Sequence, residues 1–474
     1  MEQFEMNRTI TAVSTAPGAG GIAVIRISGT KAIEIADSAW KGKSLTDALS
    51  HTAHLGKYYS TSGDLLDEAV ATIFRAPASF TGEDVVEISV HGSRWIQKEI
   101  IADLIRRGAY AAAPGEFTQR AFINGRLDLA QAEGVADLIA SSSRAAHKLA
   151  ISQTRGGFSR ELELLREKLV DFASLLELEL DFSEEDVEFA DRTRLSELGN
   201  AIMKKITRLA NSYSSGAALK NGVPVVIAGI PNAGKSSLLN LLLSDDKAIV
   251  SDIPGTTRDI IEDTAEIDGI LYRFIDTAGL RTTSDKVEKL GIERARLQMT
   301  KASIIIWIID PTSPLQPQTQ ELDTFISNNL GSKIILLQNK SDINNSPLFE
   351  QHHITASTAE NRCKSVMTSC MKPILFSAYT GEGLEELIEK LHNLATDGYN
   401  PDSDLIVTNA RHYQALLQAQ APLRQALAGI DNGISADFIA QDIRETLHHL
   451  GTITGAITTD TLLHTIFSRF CIGK

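Results

Sequence analysis

The segment GIPNAGKS, Gly229–Ser236, has the spacing G-x-x-x-x-G-K-S. In this pattern the backbone N–H groups of a glycine-rich turn surround nucleotide phosphates, the lysine reaches the β- and γ-phosphates, and the hydroxyl binds Mg²⁺. The apolar run PVVIAG precedes the loop and SSLLNLLL follows it, which indicates a strand before it and a helix after it. We therefore predict a phosphate-binding loop in which Lys235 and Ser236 have these two roles.

A second motif, NKSD at Asn339–Asp342, follows the apolar run KIILLQ. The carboxylate of Asp342 can accept hydrogen bonds from N1–H and from the exocyclic amino group of guanine, a donor pair that adenine lacks. Asn339 is expected to meet the other edge of the base, and the backbone amides of Ser377 and Ala378 are expected to contact the base oxygen. NKSD alone also fits a surface turn, but after a phosphate loop it predicts GTP.

Two further motifs supply metal ligands and a sensor for the γ-phosphate. GTTRD, Gly255–Asp259, offers the hydroxyl of Thr257 to Mg²⁺, and Asp276 follows the strand-like YRFI and can hold the metal through water. The amide of Gly279, in DTAG, can sense the γ-phosphate. Many GTPases have a glutamine next that orients the attacking water, but this chain has Leu280. Another group must therefore orient the water.

The transition-state charge of such a hydrolysis also needs a partner. Arg258 is one candidate, as an arginine finger within the same chain, although it adjoins the metal-binding threonine and Asp259 can simply pair with it. The predicted GTP contacts, within these motifs and in the residues near them, are Asn232, Ala233, Gly234, Lys235, Ser236, Ser237, Ser251, Thr256, Thr257, Asp276, Thr277, Ala278, Gly279, Asn339, Lys340, Asp342, Ser377 and Ala378.

The patterns around these motifs predict a multidomain chain. TAVSTAPGAGGIAVIRISG indicates strand, glycine loop and strand, and DVVEISVHG indicates a strand followed by a helix through Ile105. Leu162, Leu165, Leu169, Phe172, Leu176 and Leu180 form one helical stripe that is typical of a bundle core. PVVIAG, YRFID, SIIIWIID, KIILLQN and PILFSA are typical of buried parallel strands.

From these patterns we expect an α+β N-terminal domain at 1–120 and an α-helical domain in two parts, 121–217 and 395–474. An α/β P-loop GTPase domain of Ras-like type, 218–394, is inserted between them. The acidic run Ser183–Asp191 is expected to be a solvated loop or helix start, since it lacks the spacing of a calcium loop.

Composition limits the classes of function. The 474 residues carry a net charge of −14, which disfavours a surface that neutralises many nucleic-acid phosphates by itself. Three cysteines without zinc-like spacing predict neither a disulfide framework nor a structural metal. The sequence has no run of 18 apolar residues and its first residues do not resemble a signal peptide, so we expect a cytoplasmic protein without a membrane span.

The motifs together resemble the MnmE, or TrmE, family of tRNA-modification GTPases, within the translation-factor-related GTPases that have an apolar residue where the glutamine would be. The resemblance extends over essentially the whole chain and is carried by these stretches: PGAGGIAVIRISG, SFTGEDVVEISVHG, PGEFTQRAFINGRLDLAQAE, GIPNAGKSSLLN, DIPGTTRD, DTAGLR, GIERA and FCIGK.

The family resemblance implies how water and charge are handled. Two GTPase domains approach each other in the GTP state, and K⁺ stands beside the phosphates where an arginine finger acts in other systems. The matching K⁺ ligand is Asn232, with oxygens of Ser251, Ile253 and Thr256 completing the cage. The residue that orients the water is carried over to Glu288, which from the sequence alone reads more simply as a solvated helix residue.

The resemblance also implies a folate site. The charged positions that match are Arg26 and Glu87, Lys474 at the C-terminal tail, and Arg126 where some relatives have lysine. Arginine and lysine would pair with the glutamate carboxylates of a 5-formyl- or methylene-tetrahydrofolate, and Glu87 would accept from the pterin. Cys471 is a candidate catalytic thiol, and a buried apolar cysteine is the alternative.

The implied function is a K⁺- and Mg²⁺-dependent GTPase that acts with the flavoprotein MnmG. The pair would add an aminomethyl or carboxymethylaminomethyl group to C5 of the wobble uridine of certain tRNAs. A homodimer formed by the N-terminal domain, a heterotetramer with MnmG, and tRNA contacts mainly through that partner are expected. The alternatives are a ribosome-assembly or RNA-associated GTPase switch, which would need a basic RNA-binding domain, and a folate-dependent one-carbon enzyme with a regulatory GTPase domain.

Overall fold

The computed structural model describes residues 8–181, 192–244, 249–250, 262–275, 302–328, 333–344, 373–400 and 404–473. The chain divides into two compact units, each built from separate stretches of sequence. Unit 1 comprises Met1–Ala136, Gln153–Val187 and Ala440–Lys474, and unit 2 comprises Asp137–Ser152 and Glu188–Ile439.

Unit 1 contains a seven-stranded sheet in the order β3-β4-β5-β6-β2-β1-β7. Its strands are β1 (Ile10–Val13), β2 (Ile22–Ser28), β3 (Trp40–Gly42), β4 (Thr52–Tyr59), β5 (Leu65–Phe74), β6 (Val85–His91) and β7 (Tyr110–Ala111). Only the pairing of β1 with β7 is parallel. The strand, glycine loop and strand predicted at the start of the chain are confirmed as β1 and β2, and DVVEISVHG is confirmed as β6.

Successive side chains of a strand point to opposite faces of the sheet, so alternating residues bring apolar side chains to one face. Helices cover that face. One face packs against α1 (Ala32–Ser38) and α2 (Arg94–Arg106) in a single core cluster that includes Ile25 and Ile88 of the sheet and Leu104 of α2. On β1, Ile10 packs instead with Phe117 of α3 (Glu116–Ile123). The predicted helix through Ile105 is confirmed as α2.

The remaining helices that contribute to unit 1 are α4 (Leu129–Ala140), α6 (Gly157–Asp181), α13 (Ala436–Thr454) and α14 (Asp460–Phe467). The predicted stripe on α6 is buried from Leu162 to Leu176, as expected for a bundle core; the side chain of Leu180 and the acidic run 183–191 lie outside the described residues. Leu129 and Ala132 of α4 pack with Ile466 and Phe467 of α14.

Unit 2 contains the second seven-stranded sheet, in the order β14-β13-β12-β8-β11-β10-β9. Its strands are β8 (Val223–Gly229), β9 (Ile249–Val250), β10 (Glu262–Ile267), β11 (Ile270–Ile275), β12 (Ile304–Ile309), β13 (Lys333–Gln338) and β14 (Ile374–Leu375). The five predicted strands are confirmed as a parallel set, whereas β10 is antiparallel to both of its neighbours.

The helices of unit 2 are α5 (Arg144–Thr154), whose last two residues fall in unit 1, α7 (Arg192–Asn211), α8 (Tyr213–Asn221), α9 (Lys235–Ser244), α10 (Leu315–Asn328), α11 (Leu384–Thr396) and α12 (Ala410–Asp431). The predicted fold class, an α+β N-terminal domain, a discontinuous helical domain and an inserted P-loop α/β domain, is confirmed.

One contact within unit 2 was not predicted. The start of α5 adjoins the turn between β10 and β11, where the backbone N–H of Ala145 donates to the Gly269 carbonyl over 2.9 Å. The Arg144 N–H donates to Oε1 of Glu266, also over 2.9 Å. Ala145 and Leu149 are buried in the same core cluster as Tyr272 of β11. Helix α5 therefore belongs to the core of the α/β sheet.

None of the helices in the described ranges is long and apolar enough to cross a membrane. Within the same ranges, no group of three or more His, Cys, Asp or Glu side chains is placed to hold a metal ion.

Candidate functional site

The phosphate loop lies between β8, which ends at Gly229, and α9, which begins at Lys235. Gly229 has φ +138° and Gly234 has φ +103°, a region that favours glycine. A Cβ at Gly229 would collide with the Ile308 carbonyl, and a Cβ at Gly234 would collide with Nδ2 of Asn339. The two glycines of the motif are therefore required by close approaches from β12 and from the NKSD segment.

The polar side chains of the loop and of the first turn of α9 are exposed or half-buried. Nζ of Lys235 donates to the carbonyls of Gly229 and Ile230 over 2.7 and 2.8 Å, so its charge is held beside the loop backbone. Asn232 is exposed with a left-handed backbone, φ +63°, and Ser236 and Ser237 occupy the first turn of α9. The helix N-terminus and the lysine together make this loop suitable for anionic phosphates.

Asn339 joins three of the predicted segments. Its Nδ2 donates to the Ala233 carbonyl of the phosphate loop over 2.7 Å, and its Oδ1 accepts from the Ala378 N–H over 3.1 Å. The residue is only 3% exposed. The side chain thus fixes the NKSD segment to the phosphate loop on one side and to the Ser377–Ala378 segment on the other.

The rest of the NKSD segment is held by hydrogen bonds to the chain after β14. Ser377 Oγ donates to Oδ1 of Asp342 over 2.6 Å, and Ser341 Oγ donates to Oε2 of Glu382 over 2.8 Å. Backbone N–H groups of Ser341 and Ser377 donate to the carbonyls of Phe376 and Glu382. Asp342 itself remains exposed, so its carboxylate can meet a base.

Lys340 contacts Asp310, a residue outside the predicted site. Its Nζ contacts Oδ2 of Asp310 at 2.6 Å and Oγ1 of Thr312 at 3.1 Å. Asp310 directly follows β12 and is 2% exposed. A carboxylate that ends a strand beside two known nucleotide motifs was the signal in the sequence that could have identified it.

Ten of the predicted site residues lie outside the described residues: Ser251, Ile253, Thr256, Thr257, Asp276, Thr277, Ala278, Gly279, Glu288 and Lys474. Arg258 and Leu280 also lie outside them. In the sequence, Thr257 precedes the start of β10 by five positions, and Asp276 directly follows β11.

In unit 1, two of the predicted folate residues form a cross-strand pair. Arg26 of β2 is in register with Glu87 of β6, and its Nε and Nη2 both contact Oε1 of Glu87, at 2.9 and 2.8 Å. The guanidinium lies 5.5 Å from the ring centres of Phe80 and Phe117. The site thus combines one ion pair with two aromatic rings.

The C-terminal tail packs against the first strand of unit 1. The Gly473 carbonyl accepts from Ser14 Oγ over 3.0 Å, and the Cys471 carbonyl accepts from the Gly115 N–H over 3.3 Å. Cys471 is exposed, so the alternative of a buried apolar cysteine is wrong. Arg126 is exposed beside Gly82.

Sequence comparisons agree with this architecture. Residues 9–126 match a family described as "GTP-binding protein TrmE N-terminus", and residues 129–471 match the "MnmE helical domain". The chain is 48% identical to a tRNA modification GTPase MnmE of Cytophaga hutchinsonii, over 98% of each chain. It is also 48% identical to the MnmE of Bacteroides fragilis, over 98% of this chain and 99% of that one.

Among solved structures, the G domain of the T. maritima FeoB iron transporter is 28% identical, with 36% of this chain and 98% of that chain covered at a TM-score of 0.26. The match of two adjoining family descriptions and the near-complete coverage of the relatives lead to one conclusion. The chain belongs to the MnmE family of tRNA modification GTPases.

Proposed function

We propose that this GTP hydrolase is K⁺-dependent and works with the flavoprotein MnmG on tRNA. Together they would add a carboxymethylaminomethyl or aminomethyl group to C5 of the wobble uridine, position 34. GTP hydrolysis would drive association of the GTPase domains and a conformational change, not the carbon chemistry itself. The observation that carries this proposal is the 48% identity with MnmE proteins along nearly the whole chain. The proposed location is the cytoplasm.

The nucleotide contacts are proposed from the loop geometry. The phosphate loop, with Lys235 beside it and the α9 N-terminus behind it, suits the phosphates. Asp342 is proposed to accept from guanine. Ser236 and Thr257 would hold Mg²⁺, which supplies positive charge to the phosphates. Asn339 is buried, and its side-chain amide bonds to the backbone of Ala233 and Ala378. We therefore propose that Asn339 holds these two segments in place around the base and also lies beside the base itself.

The K⁺ site is proposed at Asn232, together with oxygens of Ser251, Ile253 and Thr256. Asn232 is exposed on the phosphate loop, which suits a side chain that shares an ion with other oxygens. The bound ion would stabilise charge that develops on the phosphates during hydrolysis. Glu288 would hold the attacking water, since a carboxylate accepts a hydrogen bond from water and Leu280 does not.

The folate site is proposed at Arg26, Glu87, Arg126 and Lys474. The exposed ring of Phe80 beside Arg26 supports it, since the flat pterin and aminobenzoyl groups of a folate pack on aromatic and guanidinium faces. The packing of the tail on unit 1 is consistent with Lys474 joining this site. The exposed thiol of Cys471 is proposed to act at the carbon that is transferred.

The homodimer is proposed to form through unit 1. Leu55 of β4 and Val70 of β5 are opposite each other in the sheet register, and both are exposed. Adjoining apolar side chains on an exposed sheet face would lose contact with water on association with another protein. A second copy would bury it.

The decisive experiment measures GTP turnover in KCl and in NaCl for the wild type and for Glu288→Ala. We expect KCl to raise turnover in the wild type by at least about tenfold, and the variant to lose roughly 10²-fold or more while GTP affinity persists. Glu321→Ala, which removes an exposed carboxylate of α10, is the matched control and should behave as wild type. Equal turnover in both salts, or a fully active Glu288→Ala, would refute the mechanism.

A further inference from the structure

The backbone of Lys340 has a conformation that is unfavourable for a residue with a Cβ atom. Its φ is +62°, in the left-handed region, whereas glycine or asparagine is usual there. A non-glycine residue keeps such a conformation only where its surroundings fix it. Lys340 stands between Asn339 and Asp342, the two residues proposed to meet guanine, so whatever fixes it also sets their spacing.

Asp310 provides that restraint. Its carboxylate accepts from Nζ of Lys340 over 2.6 Å, and from the N–H and the hydroxyl of Thr312 over 2.9 and 2.6 Å. Burial alone would raise the pKa of Asp310, but the hydrogen bonds from Lys340 and Thr312 outweigh it and lower the pKa. The carboxylate therefore remains charged and paired at neutral pH.

The backbone of Asp310 is fixed as firmly as its side chain. Gln318 of α10 accepts from the Asp310 N–H over 3.0 Å and donates to the Asp310 carbonyl over 2.9 Å. Gln318 is 1% exposed. The end of β12 therefore cannot shift without breaking hydrogen bonds to buried groups, each of which is costly to leave unpaired.

We propose that Asp310 is a positioning residue for guanine recognition. It pairs with Lys340 and so holds the NKSD segment in the conformation that presents Asn339 and Asp342 to the base. The inference rests on the proposed assignment of NKSD to guanine. Because the base is common to GTP and GDP, loss of the pair affects both nucleotides equally. Hydrolysis at the γ-phosphate, once GTP is bound, is not affected.

The test compares Asp310→Asn with the wild type in the full chain, by titration with GDP and a non-hydrolysable GTP analogue and by turnover at saturating GTP. We expect both dissociation constants to rise about tenfold with unchanged kcat, since the half-buried ammonium of Lys340 loses the carboxylate that holds it. Asp397→Asn is the matched control: it removes another carboxylate paired with a lysine, Lys333, at 2.7 Å, and should change neither quantity.

Two further variants distinguish a folding defect of Asp310→Asn from an error in the guanine assignment. Thr312→Val removes the hydroxyl that contacts both Asp310 and Lys340 and keeps the shape of the side chain. It should raise the dissociation constants of both nucleotides by about threefold. It decides the question if Asp310→Asn does not fold. Unchanged affinities, or a loss of kcat alone, in a folded variant would overturn the inference. Asp342→Asn tests the guanine assignment itself. Xanthine has a carbonyl in place of the amino group of guanine, so the variant amide should favour xanthosine triphosphate (XTP) over GTP. If the preference does not shift, the guanine assignment fails irrespective of Asp310.

Discussion

Asp103 is a charged residue of α2 that has no exposed surface. Oδ2 accepts from Nε of Arg107 over 2.6 Å and from the hydroxyl of Tyr58 over 3.0 Å, and Oδ1 accepts from the Thr61 N–H over 2.8 Å. Burial raises the pKa of Tyr58, so its hydroxyl remains a donor. For Asp103, burial alone would raise the pKa, but the hydrogen bonds from Arg107, Thr61 and Tyr58 lower it.

This cluster predicts a pH-dependent contribution to the stability of unit 1. A carboxyl whose pKa is lowered by folding stabilises the protein above its unfolded pKa of about 3.9, and the contribution is lost as the pH falls through the folded value. We expect Asp103→Asn to lower the free energy of unfolding by about 3 kcal/mol at pH 7, since it breaks a buried pair. The difference from wild type should shrink below about pH 4.

Chemical denaturation at several pH values measures the free energy of unfolding. Unit 1 does not contain the nucleotide site, so its unfolding is the transition that added GDP does not shift. Glu68→Gln removes a carboxylate whose partner, Lys57, is half exposed, and should cost at most about 0.5 kcal/mol. An Asp103→Asn variant as stable as the wild type at pH 7 would show that the cluster contributes nothing.

At the scale of single residues, the sequence was most informative where spacing itself determines chemistry. The phosphate loop could be predicted because each of its positions has one role. Asp103 could not be assigned, since a lone carboxylate in a sequence does not reveal whether its surroundings bury it. Asp310 offered one signal, its place directly after a predicted strand, but the sequence does not show that Lys340 is its partner. Asn339 was selected for the base, but its two backbone partners depend on packing between segments far apart in the chain.

Among the elements, the hairpin of β10 and β11 lies between α5 and two of the predicted nucleotide segments. Its two-residue turn has positive φ at both Asp268 and Gly269, as type I′ turns require. The turn adjoins α5, and the far ends of both strands lead in sequence towards Thr257 and Asp276. The hairpin therefore links α5, which contacts its turn, with the sequence segments proposed to contact Mg²⁺ and the γ-phosphate, which adjoin its strand ends.

Leu149 on α5 tests this packing. It is 6% exposed in the core of the α/β sheet, so Leu149→Ala should cost about 2–4 kcal/mol. Thermal unfolding of the full chain, monitored by the transition that GDP raises, gives the value. Leu164→Ala is the control: Leu164 is 51% exposed on α6, and its loss should be nearly neutral. Equal effects of the two variants would show that α5 is not part of that core.

The elements also show where sequence patterns are sufficient. IIIWII is buried along its whole length, and such a run predicts a central parallel strand. EDTAEI is polar at four of its six positions, so β10 was not predicted, although the Asp-Gly pair between two apolar residues was an available hairpin signal. The place of α5 could not be read, because an amphipathic helix does not name the sheet that it covers.

At the scale of the molecule, the tail connects the end of the chain to its start. Ser14 and Gly473 are 459 positions apart and share a hydrogen bond. Gly473 has φ +91°, and a Cβ there would collide with the Val13 carbonyl. We expect Gly473→Ala to detach the tail, which carboxypeptidase digestion followed by mass spectrometry would show as faster trimming. Ser14→Ala, which removes only the hydrogen bond, should have a smaller effect; identical trimming of Gly473→Ala and wild type would contradict this packing.

The interleaving of the two units has a consequence during synthesis. Unit 2 is complete once Ile439 has been made, whereas unit 1 still lacks Ala440–Lys474, including the α14 side chains that cover Leu129 and Ala132. The α/β sheet, whose last strand ends at Leu375 and whose last helix α11 ends at Thr396, can therefore fold on the ribosome first, while the N-terminal part, which was made earlier, still has an open apolar surface. A premature stop near the end of the message would thus harm the portion translated earliest, and leave the GTP-binding portion whole.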